Sequence, residues 1–99
     1  MEMITPLRGD ESVRIQVEPV VIEGFKEIMT VIHHFIHEDK SEDPELYSVS
    51  EFTTGQSLSG GFRFWTKSAA IESAKRTLEQ HGKEAVLLKI SGLPQINHP

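Results

Sequence analysis

The sequence predicts an α+β fold in which an antiparallel β-meander of four to five strands packs against one helix. Apolar and polar residues alternate over 13–17 and 46–52, as they do in half-buried strands. Two threonines and Gly55 follow the second stretch and are typical of a tight turn. Further along, apolar residues recur at spacings of three and four until Gly82, which indicates one amphipathic helix. The predicted order of elements is β-β-β-β-α-β.

The chain has room for one domain. It has 99 residues, of which 37% are hydrophobic and 25% charged, so a modest core can form. We expect residues 1–12 to be a flexible lead-in, because they mix proline, glycine and acidic residues with few apolar ones. Residues 13–91 should form the domain, and residues 92–99 should be a C-terminal tail that frays.

The first part of the predicted sheet contains one ambiguous stretch. Pro19 follows the strand at 13–17 and has no amide hydrogen, so this strand should lie at an edge or bend there. An exposed edge would also permit a homodimer by sheet extension. Residues 25–37 fit both a helical apolar stripe and a strand with two buried faces. The β-branched and aromatic run at 30–36 favours a strand that pairs with 46–52.

The second part is expected to contain a strand, a helix and a final strand. Residues 58–65 should return from the turn, with a bulge or twist at their paired glycines. Thr66 is the predicted N-cap of a helix over 67–81. A short, largely buried strand over 85–90 should complete the sheet. Residues 41–44 should be a polar connector between the strands that precede and follow them.

Charge and cysteine content narrow the classes of function. The formal net charge is −5 with histidine neutral, and acidic residues concentrate at 38–45. This sign disfavours binding to phosphate backbones, so nucleic acid is not an expected partner. The lack of cysteine excludes thiolate zinc sites and favours a reducing, cytoplasmic compartment. We expect no membrane association, because no apolar run is long enough to span a bilayer and the start lacks a signal-peptide pattern.

Part of the chain resembles two groups of proteins. The hairpin carries V-S-E at 49–51 and T-G at 54–55, and the helix opens T-K-S-A-A at 66–70. These motifs resemble short uncharacterised phage and mobile-element proteins and, more distantly, the HicB-like antitoxins. The resemblance covers a little over half of the chain. It implies a partial double-stranded-RNA-binding-domain layout and a phage regulatory protein or, alternatively, an antitoxin or RNA-associated module.

The sequence predicts neither an enzyme nor a cofactor. No serine lies in a G-x-S-x-G elbow, and the paired glycines lack the G-K-[ST] ending of a phosphate loop. His33 and His37 have the spacing to share a zinc ion, with His34 between them. A zinc site would need a third ligand from elsewhere in the chain, so we assign no metal and expect partly exposed positions on a strand. A histidine-dependent metal protein stays an alternative.

A second protein is the expected partner. Exposed acidic side chains attract basic surfaces, and Trp and Arg are enriched at binding hot spots. The candidate contact residues lie in the acidic run and on the hairpin: Glu42, Asp43, Glu45, Glu51, Arg63 and Trp65. Together they indicate a small acidic non-catalytic binding or regulatory protein. An inhibitor of a host nucleic-acid-handling or defence complex would fit, because such complexes present basic channels.

Overall fold

The computed structural model describes residues 1–7, 9–58 and 63–98 and has an α+β fold. Its elements are β1 (Glu2–Pro6), β2 (Ser12–Gln16), β3 (Glu18–Val20), β4 (Thr30–Ile36), β5 (Glu42–Glu51), α1 (Lys67–His81) and α2 (Lys83–Ser91). The strands form two antiparallel sheets, β1-β2 and β3-β4-β5. The predicted α+β class is confirmed. The single meander on one helix, in the order β-β-β-β-α-β, is not, because the described strands form two sheets and two described helices follow them.

The N-terminal residues form a strand where a flexible lead-in was expected. β1 pairs with β2 along its whole length, with Met3 opposite Ile15. Gly9 has a φ of 75° between the two strands, a conformation that a residue without a Cβ adopts easily. The strand has a weak sequence signal because Met3 is the one residue of β1 that is buried, at 1% exposure.

The ambiguous stretch at 25–37 is a strand from Thr30 onward. β4 lies at the centre of the three-stranded sheet, and Ile32 stands opposite Val49 of β5. Residues before β4 form turns. Pro19 lies in β3, at the edge of this sheet, where its missing amide hydrogen leaves no gap in the ladder. The favoured strand is therefore confirmed. The strand predicted at 13–17 ends at Gln16 as β2, so Pro19 belongs to a separate strand, β3, in the other sheet.

The three-stranded sheet is covered on both faces. α1 packs on one face, where a cluster of buried side chains comprises Ile22, Phe25, Ile28, Ile32, Val49, Ala70, Ala74 and Leu78. The β1-β2 sheet contributes to a second cluster, which comprises Met3, Ile15, Val17, Val31 and Phe52. Neighbouring residues of β4 thus point into different clusters. A strand buried on both faces carries a continuous apolar run, which is why its periodicity was ambiguous.

In the part of the chain that the structure describes, two helices follow the sheet instead of one. The Thr66 side chain accepts a hydrogen bond from the Ala69 amide at 3.1 Å, so the predicted N-cap and helix are confirmed. Gly82 ends α1 with a φ of 83°. The strand predicted at 85–90 is wrong, because these residues belong to α2, whose Ala, Leu, Lys and Glu residues favour a helix. Neither helix in the described part of the chain is long and apolar enough to cross a membrane.

The returning arm of the hairpin is described at its two ends. Ser57 forms an antiparallel bridge to Ser50, and Phe64 forms one to Tyr47. The segment predicted at 58–65 is therefore paired with β5 near its beginning and near its end. The glycine bulge predicted within 58–65 lies outside the described residues. The turn before this arm is confirmed, since Gly55 has a φ of 71°.

The C-terminal tail is anchored, which contradicts the expectation that it frays. Asn97 is 7% exposed, and its amide nitrogen donates to the Thr53 carbonyl at 3.0 Å. Its side chain bonds both backbone groups of Ile4 and the carbonyl of Phe52. A terminal segment with polar residues and prolines predicts a flexible tail. Here the buried side-chain amide of Asn97 holds this segment against β1 and the end of β5.

Candidate binding surface

The end of β5 holds a buried carboxylate. Glu51 is 2% exposed and accepts hydrogen bonds from the amides of Thr53 and Thr54, at 2.8 and 2.9 Å. It also accepts from the hydroxyls of the same two threonines, at 2.6 and 2.7 Å. These four bonds stabilise the turn. The expectation that Glu51 is a contact residue on the hairpin surface is therefore wrong, because its carboxylate is buried and accepts hydrogen bonds from Thr53 and Thr54.

The acidic run is part turn and part strand. Asp39 accepts hydrogen bonds from the amide and hydroxyl of Ser41 in the turn between β4 and β5. Pairing of β5 already begins at Glu42, so the predicted connector at 41–44 is largely incorrect. Register with β4 shifts after His34, where the partner changes from Tyr47 to Asp43, so residues 44–46 lie at an irregularity of the ladder.

Asp43 links the acidic run to His37 of the preceding segment. Its carboxylate accepts from the Glu45 amide at 3.0 Å and faces Nε2 of His37 at 3.1 Å. These two bonds, together with weaker attraction from His37 and Arg63, lower the pKa of Asp43. Glu42 and Glu45 are exposed. We call Glu42, Asp43 and Glu45 the acidic edge. Asp43 anchors it to His37, and the exposed side chains of Glu42 and Glu45 flank Asp43 in the sequence.

Residues 63–67 place two cations over aromatic rings. The guanidinium carbon of Arg63 lies 5.1 Å from the ring centroid of Phe35, and Nζ of Lys67 lies 5.9 Å from that of Tyr47. Trp65, between the cations in sequence, is 73% exposed. We call Phe35, Tyr47, Arg63, Trp65 and Lys67 the aromatic–cation surface. It combines rings and cations at the distances at which they attract one another.

The backbone fixes this surface to the sheet. The Tyr47 amide donates to the Phe64 carbonyl at 2.7 Å, and the Phe64 amide donates back at 3.3 Å. Lys67 is the first residue of α1, and its ammonium lies 3.0 Å from the Glu18 carboxylate, which raises the pKa of Lys67. The 63–67 segment is thus held at Phe64 by backbone hydrogen bonds to β5 and at Lys67 by the ion pair with Glu18.

Five of the six predicted contact residues are exposed or partly exposed, and the sixth, Glu51, is buried. Arg63 and Trp65 are exposed, as expected. Asp43 lies close enough to Arg63 for the guanidinium to help lower the pKa of Asp43, after the larger effects of Glu45 and His37. Glu51 is separated from them by its burial. The contributions of Phe35 and Tyr47 were missed, because only the β4-β5 register and the Tyr47–Phe64 bridge bring these rings under the cations.

His33 and His37 have different surroundings. Nδ1–H of His33 donates to the His34 carbonyl at 2.7 Å, which leaves Nε2 to accept from the Ser50 hydroxyl at 2.8 Å. Burial lowers the pKa of His33. His37 instead faces Asp43. Within residues 1–7, 9–58 and 63–98, no group of three or more His, Asp or Glu side chains is arranged to hold a metal ion.

Comparisons with protein-family models, with curated proteins and with solved structures each found no match. The chemistry of the surfaces themselves therefore carries the functional argument.

Proposed function

We propose that this chain is a small, acidic, non-catalytic binding or regulatory protein that acts by contact with another protein. The observation that carries the proposal is the 73% exposure of Trp65, which lies in the sequence between two cations that each stand over an aromatic ring. A large apolar ring that is mostly in water contributes little to folding, but it supplies much buried area when a partner covers it. Trp and Arg are also the residue types that dominate binding energy at interfaces.

The aromatic–cation surface is ordered before any partner arrives. Arg63 rests over Phe35, and Lys67 is held between Tyr47 and Glu18. Side chains that are already fixed lose less conformational entropy on association, which leaves more of the contact energy for affinity. This preorganisation favours a role as a contact site over a role as a solvated strand end.

Local charge favours a protein partner over a phosphate backbone. Each cation of the surface has an acidic neighbour, Glu18 for Lys67 and Asp43 for Arg63. A surface of alternating sign gives a weak net attraction to polyanions, whose binding depends on accumulated positive charge. Glu42 and Glu45 beside it would attract a basic partner, and we propose the basic channel of a nucleic-acid-handling or defence complex.

The test begins with capture of a partner from host cells and continues with binding kinetics on that purified partner. Trp65→Ala should raise the dissociation rate about 30-fold, which corresponds to about 2 kcal/mol for a hot-spot residue. Val21→Ala is the matched control, because Val21 is 80% exposed and lies outside the aromatic–cation surface. It should leave the rate unchanged. Equal rates for the two variants would place the interface elsewhere.

The acidic edge has its own kinetic signature. Replacing Glu42 and Glu45 by glutamine should slow association more than it changes dissociation, since exposed charges act mainly on encounter. The effect should vanish in high salt, because the distance over which charges attract shrinks from about 10 Å at 0.1 M ionic strength to about 3 Å at 1 M. Capture of RNA in an amount that Trp65→Ala does not change would instead favour the RNA-associated alternative.

A further inference from the structure

The outer edge of β2 has no partner strand in the part of the chain that the structure describes, because β1 is its one neighbour there. Both backbone groups of Ile4 bond to the Asn97 side chain, so Ile4 faces away from β2. Arg14 stands opposite Ile4 and must face away from β1, since two opposite residues of an antiparallel pair point their groups either at each other or both outward. Ser12 lies two residues before Arg14 and faces the same way.

The other sheet edges are closed. The Asn97 amide occupies both backbone groups of Ile4 in β1. Pro19 has no amide hydrogen at the edge that β3 forms, and Ser57 and Phe64 pair with the outer edge of β5. Proteins protect edges in these ways because an unpaired edge is a template for a further strand. Among the described strands, β2 therefore has the one edge that stays available to another chain.

The charges along this edge are complementary to a second copy of the chain that runs in the opposite direction. Asp10 and Arg14 are exposed and lie two residues before and two residues after Ser12. An antiparallel copy centred on Ser12 therefore places each Arg14 opposite the Asp10 of the other copy. The ion pair of Arg14 with Glu2, at 3.5 Å, is exposed, and a guanidinium has donors for a second carboxylate. A copy centred on Arg14 would instead oppose two like charges, which is destabilising.

We propose that the chain forms a homodimer in which β2 pairs with β2 of a second copy, antiparallel and centred on Ser12. The two-stranded sheet of β1 and β2 then becomes four-stranded. Two strands alone are marginally stable, and further strands above a buried face add stability. The two-fold axis uses both open edges, so association stops at the dimer. The short paired region belongs to the weak class of interfaces, which bury less than about 1,200 Å².

Sedimentation equilibrium of the full chain, from micromolar concentration to about 1 mM, should show a monomer and a dimer in exchange. Ser12→Pro removes the central amide that each copy donates and should weaken the dimer about tenfold or more. Ser12 is the first residue of β2, where a proline is tolerated. Ser12→Ala keeps the amide and should dimerise like the wild type. A wild type that stays monomeric throughout, or equal dimerisation of the two variants, would overturn the proposal.

Charge variants test the choice of partner and decide the matter if Ser12→Pro does not fold. Asp10→Arg opposes like charges at two symmetric places and should weaken the dimer about tenfold. Combining Asp10→Arg with Arg14→Asp exchanges the two charges and should restore dimerisation. Glu23→Arg is the matched control, because it makes the same change of net charge at an exposed position outside β2. Equal weakening by Glu23→Arg, or no recovery in the double variant, would contradict the register.

The chain has no cysteine, so a single introduced cysteine reports the register. The two copies of residue 12 should have Cα atoms about 5.5 Å apart, within the range of about 4.4–6.8 Å that a disulfide spans. Ser12→Cys should therefore form a covalent dimer under mild oxidation. Gln16→Cys, exposed on the same strand, should not. An equal yield from both variants would overturn the register. Trp65→Ala should leave the dimer unchanged, so this proposal and that of a protein partner can fail separately.

Discussion

The side chain of Asn97 acts as a substitute for a neighbouring strand. Its Oδ1 accepts from the Ile4 amide at 2.7 Å, and its Nδ2 donates to the Ile4 carbonyl at 2.8 Å, as a paired peptide group would. Nδ2 also donates to the Phe52 carbonyl at 2.8 Å. One residue near the C-terminus thus joins β1 of one sheet to the end of β5 in the other.

Loss of this amide should destabilise the whole fold. We expect Asn97→Ala to lower the free energy of unfolding by about 2–3 kcal/mol, because it leaves both groups of Ile4 and the Phe52 carbonyl without partners. Urea unfolding measures the difference. His98→Ala is the control at an exposed neighbour and should change stability by less than about 0.5 kcal/mol. Equal stability of the two variants would show that the tail is not a structural anchor.

His33 links stability to pH. Burial lowers its pKa below the ordinary value of 6.5, against weaker raising effects from its bond to His34 and from Glu42. The folded state then binds the proton less readily than the unfolded chain. The contribution of the neutral ring is complete above pH 6.5 and is lost as the pH falls from there through the lowered pKa.

This linkage predicts a pH dependence that one substitution removes. Between the unfolded and folded pKa values, wild-type protein should lose up to about 1.4 kcal/mol per pH unit more than His33→Gln. Unfolding free energies in buffers from neutral to mildly acidic pH provide the measurement. His81→Gln, at an exposed position, should keep the wild-type slope. Identical slopes for wild type and His33→Gln would disprove the assignment.

At the level of elements, the turn after β5 and strand β1 fit closely together. Gly55 has a φ of 71°, and a Cβ at this position would collide with the Ile4 carbonyl and approach Cδ of Pro6 at 3.0 Å. The Thr5 hydroxyl donates to the Gly55 carbonyl at 2.7 Å. Glycine is thus required here both for its backbone conformation and for the space that β1 occupies.

A pair of glycine variants separates these two requirements. Gly24 has a φ of 86°, but a Cβ there would meet no described atom within 4 Å. Gly24→Ala should therefore cost only the left-handed conformation, about 1–2 kcal/mol. We expect Gly55→Ala to lower the unfolding free energy at least twice as much, because β1 must also move. Similar losses in thermal or urea unfolding would mean that β1 does not press on the turn.

At the scale of the whole molecule, stability should be highest in the middle of the three-stranded sheet. β4 pairs with strands on both sides, and both of its faces are covered. α2 lies at the other extreme, since all its residues keep some exposure and it packs mainly on α1. Local openings need the least free energy where few apolar contacts are broken.

Hydrogen exchange tests this gradient directly. Amides of β4 and of its partner residues in β5, around Val31 and Val49, should exchange most slowly in the native protein. Amides of α2 should exchange well before those of α1, although both are helical. NMR-detected exchange resolves the individual sites. Protection of α2 equal to that of β4 would show that the helix is part of the cooperative core.

The elements that the sequence determined by itself are those whose causes lie within a few residues. The Thr66 cap, the stripe of α1 and the turn at Gly55 are set by contacts between near neighbours, and all three were predicted.

Tertiary structure decided the features whose partners are distant in the chain. Asn97 and Ile4 lie 93 positions apart, so nothing near either residue indicates that the tail is anchored or that β1 is a strand. Residues 85–90 are a short apolar run that fits strand or helix, and helix propensity with packing on α1 made them α2. The rings beneath Arg63 and Lys67 likewise come from β4 and β5. Short-range chemistry is visible in a sequence, whereas the identity of a distant partner depends on how the chain folds back on itself.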